Sequence, residues 1–189
     1  MKAIFCLFGK RKSGKDYCAE VLKTELNKNY GHAEIRRISD PLKEEYAALK
    51  GLDSSEELKT SGPLKEVYRA EMIKFGEDIR VKDYGYFCCK SLESIPSSTE
   101  YLIISDCRRP TDLGYFKSKF SNVFVIKIIA DLKSRTDRGF IHCPEIDDAE
   151  SECALDGFQD VDAVINNNNN DEKDERLKEK IKSLLAKIL

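Results

Sequence analysis

A chain of 189 residues with 41% apolar side chains is long enough to bury one αβ core and too short for two, so a single domain over residues 1–189 is expected. Its 32 lysines and arginines against 34 aspartates and glutamates leave a formal charge of −2, which excludes a global basic field for nucleic acid or an anionic membrane. The seven cysteines are odd in number and form no CxxC pair, which suits reduced thiols in the cytosol rather than a disulfide frame or a zinc site.

Residues Ala3 to Phe8 form a six-residue apolar run, too short for a signal peptide or a membrane span, with the pattern of a strand buried on both faces of a parallel sheet. After Gly14, the apolar positions Cys18, Val21, Leu22 and Leu26 recur at helical spacing as far as Gly31. Glu34 to Ile38 suits a second strand, and Pro41 opens a helix where its missing N–H is not needed. Pro63 to about Lys82 alternates charge with Leu64, Val67, Tyr68, Met72, Ile73 and Phe75, the pattern of an amphipathic helix. Tyr101 to Asp106 and Val123 to Ile129 are β-branched and of strand length, with a helical segment starting at Pro110 between them.

Residues 131 to 160 lack a long apolar run, so a short helix and a mobile excursion are expected there rather than core, with 131–150 as a lid. Val161 to Ile165 gives a last strand, and the tract Asn166 to Asn170 reads as a surface loop. Leu177, Ile181, Leu184, Leu185 and Ile188 line one face of a final helix. Strands alternating with helices imply an α/β fold: a doubly wound, mostly parallel five-stranded sheet with helices on both faces and ligands at the carboxyl ends of the strands.

The string Gly9-Lys-Arg-Lys-Ser-Gly-Lys15 matches GxxxxGK between a predicted strand and a predicted helix. In such a loop backbone N–H groups ring a phosphate, the helix N-terminus adds its dipole, and Lys15 reaches the outer phosphates. Lys10, Arg11, Lys12 and Lys15 repel one another unless an anion is present. Asp16 stands where Ser or Thr usually offers a hydroxyl to Mg²⁺; it reads either as a metal ligand or as a charge at the start of the helix. Asp106, Arg108 and Arg109 follow a strand and emerge at the same sheet edge, where the two arginines suit a second anion and Asp106 can orient water or metal. Arg135 and Arg138, three apart, suit a cation pair on a lid. His32 and His142 have no partner at metal or triad spacing.

The strings GKRKSGKD (9–16), DPLKEEYA (40–47), YRAEMIKFGEDIR (68–80), SDCRRPTD (105–112) and DDAESECALDGF (147–158) together resemble the animal-type phosphomevalonate kinase family over nearly the whole chain. The resemblance implies a P-loop fold like that of the nucleoside monophosphate kinases, and transfer of the γ-phosphoryl group of Mg-ATP to 5-phosphomevalonate in isoprenoid synthesis. It places nucleotide contacts on Lys10, Arg11, Lys12, Ser13, Gly14, Lys15, Asp16, Arg138, Asn168 and Arg176, and acceptor contacts on Lys43, Lys65, Arg69, Arg80, Arg108, Arg109, Arg135 and Asn167. Lys15, Asp16, Arg108 and Arg109 carry catalysis in this reading, with Asp16 on Mg²⁺. Asn168 stands where the family has histidine, and Lys127 where arginine is frequent. A monomer is expected, without nucleic acid or membrane as partner, and the ending Lys187-Ile-Leu189 differs from the peroxisomal Ser-Lys-Leu, so a cytosolic location is expected. Two rival functions share these motifs: a kinase of nucleoside monophosphates or other small metabolites, and a nucleotide-binding module without turnover.

Overall fold

The computed structural model describes residues 1–60, 62–169 and 173–189. Five strands, β1 (Ala3–Phe8), β2 (Ala33–Arg36), β3 (Tyr101–Ile104), β4 (Val123–Ile129) and β5 (Ala163–Asn166), form one parallel sheet in the order β2-β3-β1-β4-β5. All six residues of β1 are buried because it is the central strand and both of its faces are covered. Alternate side chains therefore enter different cores.

On one face, Ala3, Phe5 and Leu7 meet Cys18, Ala19, Leu22 and Leu26 of α1 (Lys15–Asn29), together with Leu177, Ile181 and Leu185 of the final helix. On the other, Ile4, Cys6 and Phe8 meet Phe87 and Cys88, Leu113 and Phe116, and Leu155. The connections are α2 (Ser39–Lys50), α3 (Glu56–Lys59), α4 (Pro63–Arg80) and α5 (Tyr86–Ser91) between β2 and β3, and α6 (Pro110–Lys119) between β3 and β4. Three short helices, α7 (Leu132–Asp137), α8 (Pro144–Asp147) and α9 (Glu150–Cys153), lie between β4 and β5, and α10 (Lys173–Ile188) follows β5. The expected doubly wound sheet is present and wholly parallel. The seven cysteines are free thiols.

The structure corrects the sequence reading in several places. The second helix opens at Ser39 rather than Pro41, because the Asp106 carboxylate accepts the N–H of Ile38 at 2.6 Å and of Ser39 at 3.1 Å and so fixes the turn earlier. Strands β2 and β3 stop two residues short of their expected ends, at Arg36 and Ile104. Strand β5 runs from 163 to 166 rather than from 161 to 165. The stretch 131–160 does contribute core: Leu155 is 4% exposed and joins the second cluster, and Phe158 packs against it. Single apolar residues spaced along a polar segment give no run to detect, and only docking on the sheet buries them. The tract expected as a surface loop is only partly one: Asn166 ends β5 and Asn167 is buried, while Asn170 lies outside the described residues.

Candidate active site at the carboxyl edge of the sheet

Because all five strands are parallel, their carboxyl ends share one edge, and each delivers a polar group there. Strand β1 leads into the Gly9 loop, β2 into Arg37, β3 into Arg108 and Arg109, β4 into α7 with Arg135 and Arg138, and β5 into Asn167. Gly9 has φ +153°, and a Cβ on it would lie 2.1 Å from the Ile128 carbonyl, so the loop can leave β1 only by passing tightly against β4. Gly14, at φ +86°, lets Asn167 Nδ2 approach and donate to the Ser13 carbonyl at 2.9 Å.

Lys15 lies across the loop, its Nζ donating to the carbonyls of Gly9 at 2.7 Å and Lys10 at 3.2 Å. Burial, with Arg108 nearby, pushes its ammonium down to about 8. Beside it a cavity of about 400 Å³ is lined by Gly9, Lys10, Lys15, Arg108, Glu152 and Asp156, with Phe8 and Ile128 as apolar wall. Arg135 and Arg138 both meet backbone carbonyls of this edge: Arg135 Nε donates to that of Arg11 at 2.9 Å, and Arg138 donates to those of Ser13 at 3.1 Å and Asn167. Arg135 also stacks on Phe140, 3.8 Å from the ring centroid.

The cations of the loop have partners that the sequence does not advertise. Arg11 is held in a two-pronged pair by Asp147 at 3.0 and 2.9 Å, and Lys10 meets Asp156 at 2.9 Å. Arg108 pairs with Glu152, and Arg109 with Glu77 of α4. Three carboxylates from residues 147 to 156 thus lie on Arg11, Lys10 and Arg108.

Of the expected acceptor residues, Lys43, Lys65 and Arg69 gather where α2 and α4 approach Arg108. Burial, with Lys43, Arg69 and Arg108 around it, pushes Lys65 down to about 8. Lys43 donates to Ser39 Oγ at 2.9 Å and Asp40 at 3.1 Å, and Arg69 to Glu66 at 2.8 Å. Arg80, only slightly exposed, pairs with the buried Asp112 carboxylate at 2.8 Å. Asn168 accepts the Asp131 N–H at 2.8 Å and so ties the β5 end to the start of α7. Arg176 lines a separate surface groove between β5 and α10, with Val164 and Lys180. Lys12 is exposed at φ +63°.

Asp16 is largely exposed and accepts from Arg37 Nε at 3.2 Å and Nη2 at 3.1 Å. Burial works against the Asp106 charge, yet Arg108 and the N–H groups of Ser39 and Ile38 hold its pKa below the ordinary carboxylate value. Both Asp106 oxygens are taken by that turn, which makes it a support for α2. Sequence reading missed Arg37, Glu77, Asp112, Asp147, Glu152 and Asp156. All but Arg37 sit in the strings quoted above, which mark the segments but not which cation each carboxylate meets, since those cations lie 32 to 146 positions away.

A family model described as phosphomevalonate kinase matches residues 7–122, a stretch that includes the Gly9 loop, α4 and the arginine turn. Phosphomevalonate kinase of Drosophila melanogaster is 38% identical over 172 residues, covering 88% of this chain and 89% of that protein. Among solved structures, TT1252 from Thermus thermophilus superposes with a TM-score of 0.51 at 18% identity, covering 99% of this chain and 98% of its own, a likeness of fold alone. With its phosphate loop and its arginine turn facing one cavity, the chain belongs to the phosphomevalonate kinase family.

Proposed function

We propose that the chain transfers the γ-phosphoryl group of Mg-ATP to (R)-5-phosphomevalonate, giving ADP and 5-diphosphomevalonate, as a monomer in the cytosol without nucleic acid or membrane as partner. The observation that carries this reading is one cavity lined by both Lys15 and Arg108. That arrangement suits two phosphates that repel each other. Among the described residues no helix is long and apolar enough to cross a membrane.

The acceptor phosphate has a second pKa of about 6, so at neutral pH it is already an ionised nucleophile and needs no strong general base. The work left to the protein is to position the two polyanions and to neutralise the charge that builds between them. Lys10 to Asp16 cradle the nucleotide phosphates in this reading, with Lys15 on the β- and γ-phosphates. Arg108 and Arg109 receive the acceptor phosphate, which takes the places that Glu152 and Glu77 occupy on them. Lys43, Lys65 and Arg69 add positive charge on the acceptor side. Arg135, Arg138 and Asn167 seat the 131–150 lid on the loop, and the lid excludes water.

Asp16 fits a hard cation: it is an exposed carboxylate beside the phosphate loop, with one oxygen engaged by Arg37 and the other open to a metal. Mg²⁺ held there together with phosphate oxygens would supply further charge neutralisation.

ADP release dependent on 5-phosphomevalonate, and not on nucleoside monophosphates, is the expected result of a coupled assay; turnover of a nucleotide acceptor instead would overturn the reading. Arg109→Ala is expected to lower kcat/KM for the acceptor by about 10²-fold with a much smaller change for ATP. Unchanged constants would remove Arg109 from the site.

The pH profile follows from Lys15. Its pKa of about 8 in the free protein means that the ammonium is lost as pH rises through that value. Accordingly kcat/KM for ATP, which reports the free enzyme, falls above about pH 8, while kcat holds to higher pH because bound phosphates favour the charged form. Coincident limbs for the two parameters would contradict this assignment.

A further inference from the structure

Asp112 is the last residue of the SDCRRPTD string, and nothing in the sequence distinguishes it from a carboxylate at the start of a helix. In the fold it is fully buried, at 0% exposure, in the first turn of α6. Its Oδ2 accepts the backbone N–H groups of Arg108 at 2.9 Å and Arg109 at 3.1 Å. Its Oδ1 accepts Arg80 Nη1 at 2.8 Å and the Cys88 thiol at 3.7 Å.

An acid that only starts a helix uses its oxygens on the nearby N–H groups and stays in water. Here one oxygen is committed to a guanidinium 32 residues away, at the end of α4, and that guanidinium lies 5.4 Å from the Phe87 ring centroid. A buried charge is tolerated only when it is paired, so each partner makes the other necessary. Helix α4 meets the same turn a second time through Glu77 and Arg109. The helix that carries Lys65 and Arg69 is thereby joined to the turn that carries Arg108 and Arg109.

We propose that Asp112 is a positioning residue of the acceptor site, clamping the two-arginine turn to α4 through Arg80 so that Arg108 and Arg109 present one fixed geometry to the acceptor phosphate. This rests on the reading that those two arginines hold that phosphate. Arg80, which the family resemblance assigns to the acceptor, then acts through the turn. The N–H groups that Asp112 holds belong to the two arginines themselves, so a shift of the carboxylate moves both side chains. A misplacement of about 1 Å at such a site costs on the order of 10²-fold in rate.

Asp112→Asn keeps the size and one acceptor oxygen but removes the charge facing Arg80. The expected result is a KM for 5-phosphomevalonate raised at least about tenfold with a reduced kcat, while the KM for ATP stays within about twofold. Arg80→Met is expected to give the same pattern, Arg80→Lys to recover most of the loss, and the Asp112→Asn/Arg80→Met double variant to be no worse than the poorer single one. Normal acceptor constants in a folded Asp112→Asn protein would reduce Asp112 to a helix cap and overturn the proposal. Losses that multiply in the double variant would overturn it too, since Arg80 would then act on the acceptor by itself. Should Asp112→Asn fail to fold, the Arg80 pair decides: equal losses for both substrates, or no recovery with lysine, count against the clamp. Arg109→Ala measured alongside separates the two levels, because normal acceptor kinetics there would remove the underlying reading, whereas an Arg109 loss with a silent Asp112→Asn removes only the clamp.

Discussion

Lys15→Met is expected to lower kcat by at least about 10³-fold while leaving the protein folded. The ammonium of Lys15 lies across the phosphate loop, bonded to the carbonyls of Gly9 and Lys10, and borders the cavity that Arg108 also lines. Methionine keeps the apolar stem, so packing is retained while the charge and its two hydrogen bonds to the loop are lost. In the proposed mechanism that charge meets the β- and γ-phosphates as negative charge shifts between them. Stability is expected to move the opposite way to activity. The folded protein depresses the Lys15 pKa to about 8, so below that value the charged form is disfavoured in the fold relative to the unfolded chain, and this penalty fades as pH rises through 8 toward the ordinary lysine value. Methionine carries no such penalty, and its melting temperature at neutral pH should equal or exceed that of the wild type. Coupled ADP release and a thermal melt on the same preparation check both halves. A kcat within about tenfold of wild type would show that Lys15 is not the phosphate lysine.

Gly9→Ala carries the second large effect, and it acts on the fold as well as on the site. The added methyl would lie 2.1 Å from the Ile128 carbonyl and 3.1 Å from Ser13 Oγ, at a φ of +153° that side chains rarely adopt. The atom it strikes first is backbone of β4, which cannot turn aside as a side chain can, so either the β1–β4 pairing or the loop must yield. A cost of about 2–4 kcal/mol is expected, together with loss of ATP binding, because a displaced loop no longer presents its N–H groups to phosphate. Gly114→Ala in α6 is the control: a methyl there meets nothing within 4 Å, and the melting temperature should hold or rise slightly. A Gly9→Ala protein that melts with the wild type and binds ATP normally would mean that the loop can leave β1 along another path.

The buried strand 3–8, the glycine loop after it, the helix face of Cys18, Leu22 and Leu26, and the apolar strands at 101 and 123 were readable because each is a local pattern of burial with a recognised period. The short helices α3, α5, α8 and α9 were not, since four to six residues give too little periodicity to stand out. Asp106 shows how a strand-end acid misleads: its neighbours in sequence are arginines, but its partners are backbone N–H groups of residues 38 and 39, delivered by β2.

From the sequence alone come the parallel sheet, the phosphate loop with Lys15, and the arrival of Arg108 and Arg109 at the same edge, because strand direction and helix spacing are set by residues a few positions apart. Tertiary structure decides which charges face one another. Arg11 with Asp147 spans 136 residues, Arg108 with Glu152 spans 44, and Arg80 with Asp112 spans 32. Charged residues look alike along a chain, and a single carboxylate becomes a buried ion-pair partner or a solvated surface group only through the groups that folding places within about 3 Å of it.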